Sequence, residues 1–402
     1  MVSLPEGGDC LMRIAFTLIG GRNWTGGHSY LLNLFGALLA HQSQGVAPVL
    51  FVSDECTDAD LASFRSLSGL EIVRTPVLNS ARQIRSLMQS MLFGRDVRIQ
   101  DLLQSNRIDL MFESAQFFGW RLGIPAIAWI PDFQHKALPH LFPRVAWWKR
   151  ELGFRAQVWG HRCIMLSSAD ANKACESYYP ASQGRTGVVR FAVPPPPFVP
   201  IADARGVADG YGLPERFFFM PNQFWRHKNH QLVIEALALL RGRGMPVVVA
   251  APGNPSDPRD PGYFDALCEQ ATKQGVAEDL RFLGLIPYAH VAMLMRAGTA
   301  LLNPSLYEGW STTVEEARAA GTPMILSDLD VHREQMGDQA TYFDRNSPRS
   351  LADVLQVFPA MAAERREYSA RVAGIETLQR VRQFASTFVE FADHCVRRSR
   401  TL

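Results

Sequence analysis

Two glutamates separated by seven residues, Glu308 and Glu316, form the strongest chemical pattern in the chain, inside NPSLYEGWSTTVEEARAAGTPMILSD (303–328). Glu308 follows an apolar run, and Glu316 falls in the helix after it. The backbone amides from Gly309 through Trp310, Ser311 and Thr312 to Thr313 lead into that helix. A helix N-terminus presents unpaired N–H groups and a positive dipole end, which suits an anion. A purely local role competes: Thr313-Val314-Glu315-Glu316 also fits a capping box, in which Glu316 would serve only the helix start. A second pattern is Arg226-His227-Lys228, directly ahead of a helical repeat running through Leu232, Val233, Ala236, Leu237 and Leu240. Cations at a helix N-terminus are disfavoured by about 0.3–1 kcal/mol each, so something negative must compensate. A diphosphate would do so; a solvated basic loop is the plainer alternative. Gly26 and Gly27 stand between the first strand and first helix, where glycine lets a backbone approach a ligand closely, or simply makes a tight turn.

The elements that must position these residues alternate strand-like and helix-like periodicity, the pattern of βαβ units on parallel sheets. Strands are expected at 13–20, 47–54, 71–77, 108–114, 125–132, 162–168 and 186–193. A second series follows at 217–223, 247–253, 280–286, 300–305, 323–328 and 340–344. The stretch 29–42 repeats apolar residues at helical spacing. Four consecutive prolines at 194–197 divide the two series, because proline can join neither a helix interior nor a central strand. The expected fold class is α/β, with two doubly wound Rossmann-like domains. Residues 1–193 make the first, completed by a helix at 382–402; 194–204 form a linker; 205–381 make the second. Ligands of such sheets bind at the carboxyl ends of the strands.

Composition narrows the classes. Across 402 residues, 41 Lys and Arg nearly balance 39 Asp and Glu, which speaks against a nucleic-acid-binding surface. Apolar residues are 47% of the chain, which excludes a mainly disordered protein. Six dispersed cysteines show no metal-ligand spacing and read as reduced thiols of a cytoplasmic protein. The apolar stretch 11–21 lacks a basic n-region and reads as a strand instead of a signal peptide. Asp328-Leu329-Asp330 has the form of a metal-binding triplet, but follows a late strand and reads as structural; no metal is expected.

With the motifs in this order, together with Gly321-Thr322-Pro323 and FLGLIP (282–287), the chain resembles the family 4 glycosyltransferases, retaining enzymes of GT-B architecture whose two domains face each other across a cleft. The resemblance implies that Glu316 binds the ribose hydroxyls of a nucleotide, that Glu308 faces the donor sugar, and that Arg226 and Lys228 hold the diphosphate. It also implies that the Gly26–Gly27 loop touches donor phosphate or acceptor. In WIPDFQHKALPHLF (129–142), it makes His135 the active-site histidine and Asp132 its orienting partner. Two departures stand out. The family's Gly-Arg-Leu is Asn222-Gln223-Phe224 here, so Arg226 would have to replace that arginine from another position, and Trp310 replaces the usual Phe.

The function implied is transfer of a hexose-type sugar from a nucleotide-diphosphate sugar to a saccharide or lipid-linked acceptor, in bacterial cell-envelope polysaccharide or lipopolysaccharide synthesis. The donor is a substrate, and no separate cofactor is implied. A nucleotide-sugar epimerase of the same architecture, or a non-catalytic two-domain binding protein, are the competing readings. The aromatic and basic stretch 143–162, with Arg144, Lys149, Arg150, Arg155 and Arg162, is suited to rest on an anionic membrane at its inner face. A helix buried on one side is the competing reading of that stretch.

Overall fold

Each apolar run becomes a strand because a sheet covered by helices on both faces needs continuous apolar residues. The computed structural model describes residues 11–18, 25–42, 45–82, 89–90, 92–114, 117–257 and 259–400. Seven strands form one all-parallel sheet: β1 (Met12–Thr17), β2 (Val46–Ser53), β3 (Glu71–Thr75), β4 (Leu110–Ser114), β5 (Ala126–Trp129), β6 (Cys163–Leu166) and β7 (Thr186–Val188), in the order β3-β2-β1-β4-β5-β6-β7. Six more form a second: β8 (Phe217–Phe219), β9 (Val248–Pro252), β10 (Leu280–Gly284), β11 (Ala300–Asn303), β12 (Met324–Ser327) and β13 (Thr341–Phe343), in the order β10-β9-β8-β11-β12-β13. Strand order reverses beside β1 and β8, which is where doubly wound folds bind ligands. Every expected strand is present, most of them shorter at the carboxyl end, where the chain leaves the ladder to form loops.

The chain divides into two compact units. One comprises Met1–Phe133, Val145–Ala192 and Arg380–Leu402; the other comprises Gln134–Arg144 and Val193–Gln379. Three details depart from expectation. Residues 134–144 group with the second unit, where Arg259 lies 6.0 Å from the Phe142 ring centroid. Residues 201–204, expected in a linker, are the first turn of the helix Ile201–Gly210. The first helix starts at Thr25, so Gly26 and Gly27 occupy its opening turn instead of a connecting loop; residues 19–24 lie outside the described residues.

The first unit is centred on aromatic rings. Phe16 meets Phe35 at 4.9 Å, Phe112 at 5.0 Å and Phe388 at 6.1 Å between centroids. Phe388 belongs to the 37-residue helix Ala363–Ser399, and its burial together with Phe384 explains why the end of that helix groups with this unit. Arg162, one of the basic residues of the 143–162 stretch, is buried. Its guanidinium makes two 2.9 Å bonds to Glu113 and donates to the carbonyls of Gly119 and Gly160. In the second unit Phe217 and Phe219 face one core and Phe218 the other, the alternation a two-faced strand requires.

Candidate active site

The second unit gathers its chemical groups at the carboxyl ends of β8 and β11. After β8, Arg226–Lys228 form a single 3-10 turn ended by Asn229 in the left-handed region, φ 58° and ψ 38°. Asparagine tolerates that region better than most side chains, and its Nδ2 donates to the Arg345 carbonyl at 3.0 Å. The turn is fastened to the loop after β11 by a 2.8 Å bond from the Leu306 N–H to the His227 carbonyl. Lys228 Nζ then donates to Glu308 Oε1 at 2.5 Å, both side chains being nearly enclosed.

Ser305 fixes the other side of Glu308. Its hydroxyl lies 2.6 Å from Glu308 Oε1 and 2.7 Å from Asn303 Oδ1; with one proton, it donates to one of them at a time. Asn303 in turn donates to Ser311 Oγ at 3.0 Å. Both anchors of the glutamate fall on Oε1, and Oε2 accepts no hydrogen bond among the described residues.

The helix Thr312–Ala320 begins two residues earlier than a capping box at Thr313 would require. Ser311 is its N-cap and accepts from the Val314 N–H at 3.4 Å. Glu316 therefore plays no capping part. The Ser311 N–H is taken by Gln335 Oε1, and those of Thr312 and Thr313 have no acceptor among the described residues, as expected at a helix start. Glu315, next along, is structural: it is buried and accepts from Gln335 Nε2 at 3.1 Å. Gly309 and Trp310 are buried in the loop between. Gly321 ends the helix at φ 67°, and a Cβ there would lie 2.6 Å from the Ser369 carbonyl oxygen, so only glycine fits.

Glu316 accepts a 3.1 Å bond from the Tyr288 hydroxyl. Burial pushes its carboxyl up to about 7, against the opposing pull of that bond. Behind Lys228, the imidazole of His230 is enclosed and packed 4.8 Å from the Phe224 ring. Burial, helped by the Lys228 charge, pulls it down to about 3, so it stays neutral. His332 is also buried. Its Nδ1 bonds the Ser327 carbonyl at 2.8 Å, and burial lowers its pKa despite the nearby Glu308 charge.

The cations ahead of the helix His230–Gly242 are compensated by the protein itself. Lys228 has Glu308, while Arg226 is paired with Asp260 and lies 4.8 Å over the Tyr263 ring. Arg226 borders a cavity of about 270 Å³ lined also by His140, Phe142, Asp257 and Arg259, which takes in none of Lys228, Glu308 or Glu316. The departure at 222–224 is structural: Gln223 Oε1 accepts the Asn254 N–H at 3.1 Å, and Phe224 is buried against Phe264 and Phe282.

His135 and Asp132 sit in different surroundings. His135 exposes no surface and packs near Phe142. Asp132 is bound by Arg150 at 2.6 Å. They group with different units, as Gly26 and Gly27 group with the first and all the other candidate residues with the second. Asp328 pairs with Arg333 at 2.6 Å. Sequence reasoning missed Tyr288, Ser305, Asn303 and Asp260. Tyr288 directly follows FLGLIP and was open to notice. Asp260 lies 34 positions from Arg226 and carried no signal.

The paired doubly wound units define the class by fold. A glycosyltransferase from Rickettsia africae superposes with a TM-score of 0.70 at 12% identity, over 96% of this chain and 99% of that one. Anabaena Alr3699/HepE, solved in complex with UDP and glucose, gives 0.66 at 15% identity over 94% and 98%. The fold is GT-B, made of two Rossmann-like α/β domains. Residues 211–372, which carry Arg226, Lys228, Glu308 and Glu316, match the family model described as Glycosyl transferases group 1. The O-antigen chain mannosyltransferase B of Escherichia coli is 30% identical over 97 residues, 24% of this chain and 26% of that protein. The chain spans between a quarter and a third of the length of the first curated relatives it matches.

Proposed function

We propose that this chain is a retaining, family 4-like glycosyltransferase. It would move a hexose-type sugar from a nucleotide-diphosphate sugar to a saccharide or lipid-linked acceptor in cell-envelope polysaccharide or lipopolysaccharide assembly, on the cytoplasmic side of the membrane. One observation carries the reading: Lys228, Glu308 and the open amides of Thr312 and Thr313 converge at the carboxyl ends of β8 and β11, and Glu316 lies one turn into the same helix. The family match over 211–372 supports it, as does the name of the mannosyltransferase relative.

In this reading the donor diphosphate lies against Lys228 and the N-terminus of the helix Thr312–Ala320. As the leaving phosphate gains charge, these groups already point at it and need no reorganisation. Glu308 Oε2 accepts from a donor-sugar hydroxyl, its other oxygen being held by Lys228 and Ser305. Glu316 takes the ribose hydroxyls in its ionised form. We assign Lys228 the place beside the leaving group, and His135, enclosed as it is, no direct part in that step. The donor is the substrate, and this reading requires no metal.

The test is nucleotide release from a panel of nucleotide sugars, with and without saccharide acceptors. Lys228→Ala should lower turnover by about a hundredfold or more, since it removes a preorganised charge at the reacting phosphate. Turnover within a few-fold of wild type would refute the assignment. Epimerisation without acceptor, or nucleotide binding with no release, would favour the competing readings.

A further inference from the structure

The helix Arg144–Trp159, which groups with the first unit from Val145 onward, partitions its residues the wrong way round for a helix facing water. It buries Glu151, which is bonded to Arg155 and to the Tyr179 hydroxyl, while leaving Trp148 and Trp159 57% and 61% exposed. At 100° per residue, Val145, Trp148, Leu152 and Trp159 fall within about 60° of one another. All four are exposed, so they form one apolar stripe.

The stripe continues beyond the helix. At its carboxyl end Arg162 bonds the Gly119 carbonyl, and the Arg121 N–H bonds the Gly94 carbonyl at 2.7 Å. A Cβ on Gly94 would lie 2.7 Å from the Trp120 indole. These links set Leu92, Phe93 and Trp120, all exposed, beside the end that carries Trp159. Contiguous exposed apolar side chains of this kind mark an interaction site.

Its charges say with what. Arg95, Arg121, Arg144, Lys149 and Arg155 are exposed within 92–98, 119–123 and 143–161, and the acidic residues of those segments, Asp96 and Glu151, are buried. Aromatic and aliphatic side chains beside a surplus of exposed cations, with the partly exposed Asp132 carboxylate held by Arg150 of the helix, suit the boundary of an anionic bilayer, where tryptophan prefers to lie. A second copy of the chain is disfavoured, because a two-fold interface would set the same cations against each other. No helix among the described residues is long and apolar enough to cross a membrane, so contact would be with the surface.

We infer that this composite face, the Arg144–Trp159 stripe together with Leu92, Phe93 and Trp120, docks the protein onto an anionic lipid bilayer. This deepens the proposed function by naming the surface that would meet a lipid-linked acceptor, yet it rests on no residue of the donor site. The test is co-sedimentation of the full chain with vesicles of phosphatidylcholine alone or mixed with phosphatidylglycerol. Binding is expected only to the mixed vesicles, with a tryptophan blue shift. Lys149→Gln with Arg144→Gln should weaken it by about tenfold or more, as should Trp148→Ser with Leu152→Ser in a second variant of unchanged melting temperature. Equal binding to both vesicle types, no binding to either, or unaltered binding by both variants overturns the inference. So does a wild-type dimer in sedimentation velocity that Trp148→Ser with Leu152→Ser dissolves. The vesicle measurement uses no nucleotide, so its failure is separate from failure of the donor reading, which UDP binding measured by calorimetry reports.

Discussion

Replacing Glu316 with glutamine should make the protein more stable at alkaline pH while weakening its hold on nucleotide. Burial raises the carboxyl from an ordinary 4.5 to about 7. Below pH 4.5 the group is protonated whether the chain is folded or not, and it contributes nothing to pH dependence. Between 4.5 and 7 the folded state keeps a proton that the unfolded chain releases, so stability falls as pH rises. Above 7 the loss is complete. At about 1.4 kcal/mol per pH unit, it comes to at most about 3 kcal/mol, because the half-buried side chain keeps some contact with water. Glutamine is neutral throughout, and its amide oxygen still accepts from Tyr288. Thermal unfolding without ligand at pH 4.5 and 8.5 reads the difference. The melting temperatures should nearly coincide at pH 4.5, and the variant should melt higher at pH 8.5, by at most about 6–12 °C, if the second unit unfolds as a cooperative whole. Nucleotide affinity should move the other way, with the variant weaker at pH 8.5 and the gap narrowing toward pH 5 as the wild-type carboxyl gains its proton. A stability difference that is the same at both pH values would refute the reasoning, since desolvation of the charge is then not what Glu316 feels.

Other expectations follow from single contacts. Asp260→Asn removes the carboxylate that occupies Arg226 and, under the proposed function, should tighten binding of the nucleoside diphosphate picked out by the donor panel up to about fivefold, in keeping with a partly exposed pair; unchanged or weaker binding by calorimetry would place Arg226 outside the diphosphate site. Glu113→Ala strands the buried Arg162 guanidinium and should cost about 3–5 kcal/mol in chemical denaturation. Gly253→Ala puts a Cβ 2.2 Å from the Asn222 carbonyl oxygen, so a loss of about 2–4 kcal/mol is expected, read as a lower melting temperature.

The Glu308–Glu316 spacing and the Arg226–Lys228 cluster were legible because each lies within one loop-to-helix segment, and helix-start chemistry is local. Their partners were not legible. Nothing near Arg226 in the chain announces Asp260, and nothing near Trp129–Asp132 announces that Arg150 takes the Asp132 carboxylate. That His135 exposes no surface is likewise unannounced, since sequence proximity says nothing about burial. The capping-box alternative for Glu316 failed because Ser311, two residues ahead of Thr313, caps the helix and moves every later position off the cap.

Thus the sequence by itself determined the two parallel sheets, since a strand buried on both faces needs a continuous apolar run and a crossover helix needs a 3.6-residue repeat. It determined which segments carry the charged groups as well. Only the tertiary structure decided what those charges meet, which of Glu308's oxygens stays available, and that Glu316 is held near neutrality. Desolvation and ion pairing depend on atoms brought together from distant parts of the chain, and no local pattern records them.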